Sequence, residues 1–133
     1  MMKKSDAQAL TKLAAHLLAE KDPAAAEGAA EAAATLDPRS FDAWFVLAVA
    51  RARQEDRAGA VFAYLQALEI VPGHIGCWTD LGELYIALLD YKRAAAALRQ
   101  AMMLDPHALN PAGRRARAVA GKTMTRLKKQ AAT

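Results

Sequence analysis

The sequence predicts an all-α fold made of repeated helical hairpins, and two observations carry this prediction. Alanine supplies 34 of the 133 residues, whereas the chain has only 7 glycines and 5 prolines. Alanine is the best helix former and a poor strand former, so this composition favours helices throughout. Prolines also recur at intervals of 34 residues, at Pro38, Pro72 and Pro106. A period of this length is typical of stacked helical repeats.

Further positions align when the sequence is stepped by the same interval. In the second and third repeats the aligned positions hold either small or large side chains, as expected where small residues let paired helices approach and large residues fill the remaining gaps. The clearest columns are Leu10, Trp44 and Trp78; Ala14, Ala48 and Gly82; and Ala30, Tyr64 and Leu98.

Each predicted hairpin has its own helix-start signals. Asp22, Asp56 and Asp90 lie 34 residues apart, and an Asp at the N-cap accepts hydrogen bonds from the free N–H groups of the first turn. Asn110 followed by Pro111 repeats the signal, because proline at the first helical position has no N–H to satisfy. The predicted helices span about residues 6–20, 23–36, 41–54, 57–71, 75–88, 91–104 and 110–129.

These columns resemble the tetratricopeptide repeat, whose pattern over 34 residues is Trp-x2-Leu-Gly-x2-Tyr, then Ala-x3-Phe, Ala and Pro. The third repeat is nearest to the pattern, with Trp78, Leu81, Gly82, Tyr85, Tyr91, Ala94, Ala101 and Pro106. The second has Arg51 where Tyr is usual, and the first has Leu10 in place of Trp. The resemblance implies one domain over residues 1–133. That domain would be a right-handed solenoid of three helix-turn-helix repeats (about 7–40, 41–74 and 75–108) plus a C-terminal capping helix (about 110–129).

The sequence shows no credible constellation for catalysis. It contains no phosphate-binding glycine loop, no H-E-x-x-H and no G-x-S-x-G. His74 and Cys77 are close in sequence, but two ligands do not make a metal site. They are better explained as an exposed loop histidine and a small buried thiol. We therefore expect a protein that is not an enzyme and has neither a metal nor a cofactor.

Charge is distributed unevenly along the chain. Residues 1–106 hold 11 basic and 14 acidic residues, whereas residues 107–133 hold 7 basic and no acidic ones. Basic residues at helical spacing form a predicted basic stripe on the seventh helix: Arg115, Lys122, Arg126 and Lys129. Salt-sensitive binding of nucleic acid or another anionic surface by this stripe is the alternative function. A basic terminal helix is more often solvated surface, so a nucleic-acid partner is disfavoured.

The location of the protein is predicted from what the sequence lacks. The start turns polar at once and no uncharged run approaches the length of a membrane span. These features predict a cytoplasmic protein with no membrane span, and the alanine richness suggests a bacterial source.

The resemblance implies that the first helix of each repeat lines a concave groove. The positions predicted to face this groove are Thr11, Leu18, Asp42, Phe45, Val49, Arg53, Thr79, Asp80, Glu83 and Ile86. Phe45, Val49 and Ile86 are expected to be exposed, with Phe45 as the anchor, because exposed apolar patches usually mark partner binding. Two alternatives stay open: the terminal helix, or a second copy in a homodimer, covers the groove.

Two peptide-binding subtypes of the family can be compared with these positions. Repeat proteins that hold the acidic tail of heat-shock chaperones carry a Lys/Asn/Arg clamp, which is missing at the matching positions Thr11, Ala15, Val46, Gly76 and Asp80. The chain is more similar to class II chaperones of bacterial type III secretion. The predicted function is therefore protein binding, as a chaperone or assembly adaptor, with a protein or peptide partner that offers an apolar or basic segment.

Overall fold

The computed structural model describes residues 4–132, which form seven α-helices. The helices are α1 (Lys4–Ala19), α2 (Pro23–Leu36), α3 (Phe41–Arg53), α4 (Arg57–Ile70), α5 (Ile75–Ala87), α6 (Tyr91–Leu104) and α7 (Pro111–Ala132). Every predicted helix is present, and no end differs by more than about three residues from its predicted position. The predicted all-α fold of helical hairpins is confirmed.

The helices group into two compact units, Met1–Pro72 and Gly73–Thr133. In the first unit α1 packs on α2, α2 on α3 and α3 on α4, and α1 also contacts α3. In the second unit α5 packs on α6, α6 on α7 and α5 on α7. The α7 helix thus lies beside α5 and α6 as α3 lies beside α1 and α2. The prediction of one domain over the whole chain stays a prediction.

The predicted Asp caps are confirmed. The Asp22 carboxylate accepts the Ala25 N–H at 3.2 Å, and Asp56 and Asp90 accept the N–H groups three residues on at 3.1 and 3.2 Å. The Asn110 side chain accepts the Ala112 N–H at 2.8 Å, as its position before Pro111 predicted. Each of these bonds satisfies a backbone donor that the helix itself leaves free.

Two further caps begin the first helices of the second and third repeats. The Ser40 hydroxyl accepts the Ala43 N–H at 3.2 Å, and Nδ1 of His74 accepts the Cys77 N–H at 3.0 Å. The expectation of an exposed loop histidine is therefore wrong: His74 is half-buried and caps α5.

The turn inside each repeat has one conformation, repeated three times. Lys21, Glu55 and Leu89 all have φ of 61°, the left-handed region that non-glycine residues adopt at a cost. The next residue, the capping Asp, donates its N–H to a carbonyl five residues back, at 2.8–3.0 Å. This pattern is the Schellman motif, which normally has glycine at the left-handed position.

Replacing Leu89 with glycine should stabilise the protein by about 0.5–1 kcal/mol, because glycine adopts positive φ without strain. Leu89 is 68% exposed, so little packing is lost. Leu88→Gly is the matched control, because Leu88 has an ordinary negative φ at the end of α5, and it should destabilise. Thermal or urea unfolding measures both changes, and a destabilised Leu89→Gly would contradict the strain argument.

Alanines make up most of the buried residues in the first unit. Ala14, Ala26, Ala30, Ala33 and other alanines of α3 and α4 have no exposed surface, and such small side chains let helices pack closely. Larger residues fill the remaining space: Leu47 and Tyr64 are 1% and 3% exposed. Trp44 is half-buried and packs against Ala33, Ala34 and Ala43.

A buried carboxylate fixes the turn between α6 and α7. Asp105 is 5% exposed and accepts the N–H groups of Leu109 and Asn110 at 2.9 and 3.0 Å. Arg117 donates to the Asp105 carbonyl at 2.7 Å. A Cβ on Gly113 would overlap the Asp105 side chain, so glycine is required there despite its low helix propensity.

Candidate functional site

The first unit has a polar cleft where α1 and α3 meet, which we call the α1–α3 cleft. It encloses about 330 Å³ and is lined by Gln8, Thr11, Lys12, Ser40 and Asp42. Two predicted groove residues, Thr11 and Asp42, thus come together from different helices.

The side chains of the α1–α3 cleft keep unused hydrogen-bonding capacity. Thr11 donates its hydroxyl proton to the Ala7 carbonyl, which leaves its oxygen as an acceptor, and Ser40 uses its oxygen as a cap, which leaves its proton as a donor. Lys12 and Asp42 have opposite charges, and neither forms an ion pair within residues 4–132. Polar groups of both kinds are therefore available to a ligand.

Two aromatic rings lie on α3 one turn apart. Phe41 and Phe45 stack with their centroids 5.7 Å apart, and Phe45 meets the buried Tyr64 edge-on at 6.0 Å. Both phenylalanines are half-buried. The expectation that Phe45 is substantially exposed is therefore wrong, because one side of its ring packs inside the unit, and Phe45→Ser will cost stability.

Three other predicted groove residues of the first unit serve the packing of α1 against α3. Leu18 is buried in a cluster with Ala26 and Ala50, and Val49 packs half-buried against that cluster. Arg53 is exposed, and it donates to the Leu18 carbonyl at 3.0 Å. Leu18 is thus not available to a partner, and the expectation that Val49 is exposed is wrong.

In the second unit, α7 covers the predicted groove positions. Thr79 has no exposed surface, and its single hydroxyl proton is shared between the carbonyls of Ile75 and Ala112, at 3.1 and 3.0 Å. Ile86 packs half-buried against the Leu98, Ala101 and Ala116 cluster. The expectation that Ile86 and Thr79 face a partner is wrong, because α7 occupies this side of α5.

The acidic residues predicted for the same groove bind the basic stripe. Arg115 lies 2.5 Å from an Asp80 oxygen and 2.8 Å from a Glu83 oxygen. Arg126 donates to the Tyr91 hydroxyl at 3.3 Å and lies over its ring. Lys122 and Lys129 are exposed and have no ion pair within the part of the chain that the structure describes. Two of the four residues of the basic stripe, Arg115 and Arg126, thus bind other side chains of the second unit.

The Cys77 thiol is fully buried, as predicted. Burial, and secondarily the nearby Asp80 carboxylate, raise its pKa from 9.0 to about 12. Since the thiolate is the reactive form, we expect no labelling of the folded protein by a thiol reagent at neutral pH and rapid labelling in denaturant. The raised pKa also predicts that the contribution of Cys77 to stability is fully present below pH 9.0 and is lost as pH rises from 9.0 toward 12, because only the unfolded chain ionises its thiol there. Stoichiometric labelling of the folded chain would contradict this assignment.

Within residues 4–132, no group of three or more His, Cys, Asp or Glu side chains could hold a metal ion. None of the helices in the same range is long and apolar enough to cross a membrane.

Comparisons with known proteins agree with this architecture. A tetratricopeptide repeat family model matches residues 75–107, the third repeat. No curated protein sequence matches the chain significantly. The first tetratricopeptide domain of Spaghetti (RPAP3), solved with an HSP90 peptide, is similar with a TM-score of 0.86 and 16% identity, over 96% of this chain and 97% of that one.

Two further structures come from Yersinia enterocolitica. The type III secretion translocator chaperone SycD has a TM-score of 0.87 and 15% identity, over 98% of this chain and 90% of its own. SycD in complex with a peptide of the translocator YopD has a TM-score of 0.78 and 15% identity, over 92% of both chains. Residues 75–107 of the chain thus match the tetratricopeptide repeat model, and the fold of tetratricopeptide domains extends over nearly its whole length.

The sequence analysis missed four residues around the α1–α3 face of the first unit. Phe41 is four residues before Phe45, so helical spacing could have placed both rings on one face. Gln8, Lys12 and Ser40 gave no such signal, because their meeting depends on how α1 packs against α3.

Proposed function

We propose that the chain is a non-catalytic protein-interaction module that binds a peptide segment at the α1–α3 face of its first unit. The observation that carries the proposal is the α1–α3 cleft, where side chains with unused donors and acceptors surround about 330 Å³. The main-chain N–H and C=O groups of a bound segment would form hydrogen bonds with these donors and acceptors. Buried polar groups that are left unpaired cost free energy, so the cleft would reject a purely apolar ligand.

The neighbouring aromatic pair adds an apolar contact to the proposed site. Phe41 and Phe45 are half-buried and lie in the same helix as Asp42. An apolar side chain of the peptide would pack on the rings, while a Lys or Arg beside it would pair with Asp42. The proposed ligand is thus a segment with an apolar residue next to a basic one.

The comparisons support this proposal through the molecules bound to proteins of the same fold. One similar domain was solved with an HSP90 peptide, and SycD was solved with a peptide of its translocator. We extend the proposal to the role of a chaperone or assembly adaptor in the cytoplasm, of which secretion chaperones are one kind. The acidic tail of HSP90 is not the proposed ligand, because Asp42 would repel a carboxylate.

Peptide display against the full chain tests the proposal. A library of random 12-residue peptides should yield binders enriched in an apolar residue beside Lys or Arg. Lys12→Gln with Asp42→Asn should weaken the best binder by about 1–2 kcal/mol, or roughly tenfold, because two polar contacts are lost. Isothermal titration calorimetry measures the change.

Arg39→Gln is the control, because Arg39 is exposed just before α3 and does not line the cleft. It should leave peptide affinity unchanged, although it removes one positive charge and the double variant, Lys12→Gln with Asp42→Asn, leaves the net charge as it is. Equal losses of peptide affinity in Arg39→Gln and in the double variant would show that the effect is not specific to the cleft, and would contradict the proposed site.

A further inference from the structure

The face of the first unit formed by α2 and α4 is both apolar and acidic. Phe62 and Leu65 on α4 are 52% and 41% exposed. The α2 helix carries Glu27 and Glu31 but no basic residue, and Glu69 follows Leu65 by one turn on the exposed side of α4. None of the residues named here lines the α1–α3 cleft.

A second cleft of about 300 Å³ opens on this face, and we call it the outer cleft. Phe62 meets the Trp44 ring edge-on at 6.0 Å and forms one wall of it. The lining residues are Glu31, Ala34, Thr35, Pro38, Trp44, Leu47, Arg51 and Phe62.

The charge at the outer cleft is not balanced. Arg51 bonds Glu27 at 3.1 Å but reaches Glu31 only at 3.9 Å, and the Glu31 side chain remains 62% exposed. Both carboxylates share one guanidinium, and the adjoining C-terminal half of α2 adds the negative end of a helix dipole. The outer cleft is therefore built for an apolar side chain with a cation beside it.

The second unit of the chain has a surface of the opposite charge. Residues 73–133 hold ten basic and four acidic residues, and all four acidic residues already pair with arginines. One side of α7 is exposed and offers Gly121, Met124, Thr125 and Lys128 at helical spacing. Met124 is 45% exposed, and Lys128 follows it by one turn without an ion pair in residues 4–132.

We propose that the outer cleft of one copy binds the exposed side of α7 of a second copy. Met124 enters the outer cleft beside the contacting Trp44 and Phe62 rings, where its flexible thioether makes favourable contacts with aromatic rings. Lys128 then pairs with Glu31, and Gly121 lets the helix approach closely. The occupant is assigned by charge complementarity between an acidic, apolar cleft and a basic helix on which the large apolar side chain of Met124 is exposed.

This contact joins two different surfaces, so it is heterologous. A dimer held by one such contact still offers one free outer cleft and one free α7, and contacts of this kind build open chains unless the rotation closes a ring. Self-association should therefore continue past the dimer as concentration rises, and it should weaken with salt because Glu31 and Lys128 are exposed.

Sedimentation velocity of the full chain tests the proposal over a roughly hundredfold range of concentration, since mass action favours assembly at the upper end. The average mass should rise beyond that of a dimer. Phe62→Ser and Met124→Ser should each weaken association at least tenfold, as expected for a central apolar contact. Both residues are about half exposed, so circular dichroism melts should stay close to those of the wild type.

Mixing the two variants gives the sharpest result. Phe62→Ser keeps an intact α7, and Met124→Ser keeps an intact outer cleft, so an equimolar mixture should form a heterodimer and stop there. A charge swap supplies a second route: Glu31→Lys and Lys128→Glu should each weaken association, and the two together in one chain should restore it.

Three outcomes would overturn the proposal. They are a wild type that stays monomeric at every concentration, a mixture of the two variants that forms no heterodimer, and a charge swap that fails to restore association. Lys12→Gln with Asp42→Asn should leave self-association unchanged, so failure here and failure of peptide binding at the α1–α3 cleft are separate results.

Discussion

Leu98→Ala should destabilise the protein by about 3–4 kcal/mol, because a fully buried leucine is replaced by a cavity. Leu98 has no exposed surface and forms a cluster with Ala101 and Ala116, on which Trp78, Ile75 and Ile86 pack. Met103→Ala in the same helix is the control, because Met103 is 66% exposed, and it should change stability by less than about 0.5 kcal/mol.

The effect of Gly82→Ala on stability should change sign when Leu98 is also replaced by alanine. A Cβ on Gly82 would lie 2.7 Å from Cγ and Cδ2 of Leu98, so Gly82→Ala should destabilise the wild type by about 1–3 kcal/mol through overpacking. In the Leu98→Ala background the added methyl group fills vacant space and improves helix propensity. There Gly82→Ala should stabilise.

Urea unfolding of the four proteins in this cycle gives the coupling between residues 82 and 98. We expect a coupling energy above about 1.5 kcal/mol, as found for side chains in direct contact. If the two substitutions change the free energy of unfolding additively, residues 82 and 98 are not in direct contact, which would contradict the packing of α5 on α6 described above.

Asp105→Ala should cost about 2–4 kcal/mol. The substitution removes the acceptor for the Leu109 and Asn110 N–H groups and the carboxylate nearest Arg117. Losing one partner of a buried polar network leaves the others unpaired, which costs more than the bond itself contributed.

Asp105→Asn is the matched control because its amide oxygen can still accept one of the two N–H groups. It should cost less than Asp105→Ala, and amide hydrogen exchange at Leu109 and Asn110 should accelerate most in the alanine variant. Equal and small losses in both variants would mean that this carboxylate does not organise the α6–α7 turn.

The fold could be predicted because its signals are local or periodic. Asp22, Asp56 and Asp90 mark helix starts, and the columns of Trp78, Gly82 and Leu98 mark the packing surfaces. The His74 cap escaped prediction because histidine is not among the preferred capping residues. Leu89 likewise gave no sign of its left-handed conformation, which the Schellman turn imposes.

The candidate site was harder to predict because it depends on which helix covers which face. The groove positions were assigned from the register of single helices, and that register is the same for Thr11 and Thr79. Thr11 lines an open cleft, whereas Thr79 is buried under α7. Leu18 was misplaced for the same reason, since α3 packs over its end of α1.

The most direct test of peptide binding at the α1–α3 face is a chemical-shift map by NMR. The ¹⁵N-labelled full chain would be titrated with the tightest 12-residue peptide from display. We predict the largest amide shifts at Gln8, Thr11, Asp42 and Phe45, with little change along α2 and α7. Largest shifts on α2 and α4, or on α7, would contradict the account and move the peptide site elsewhere on the chain.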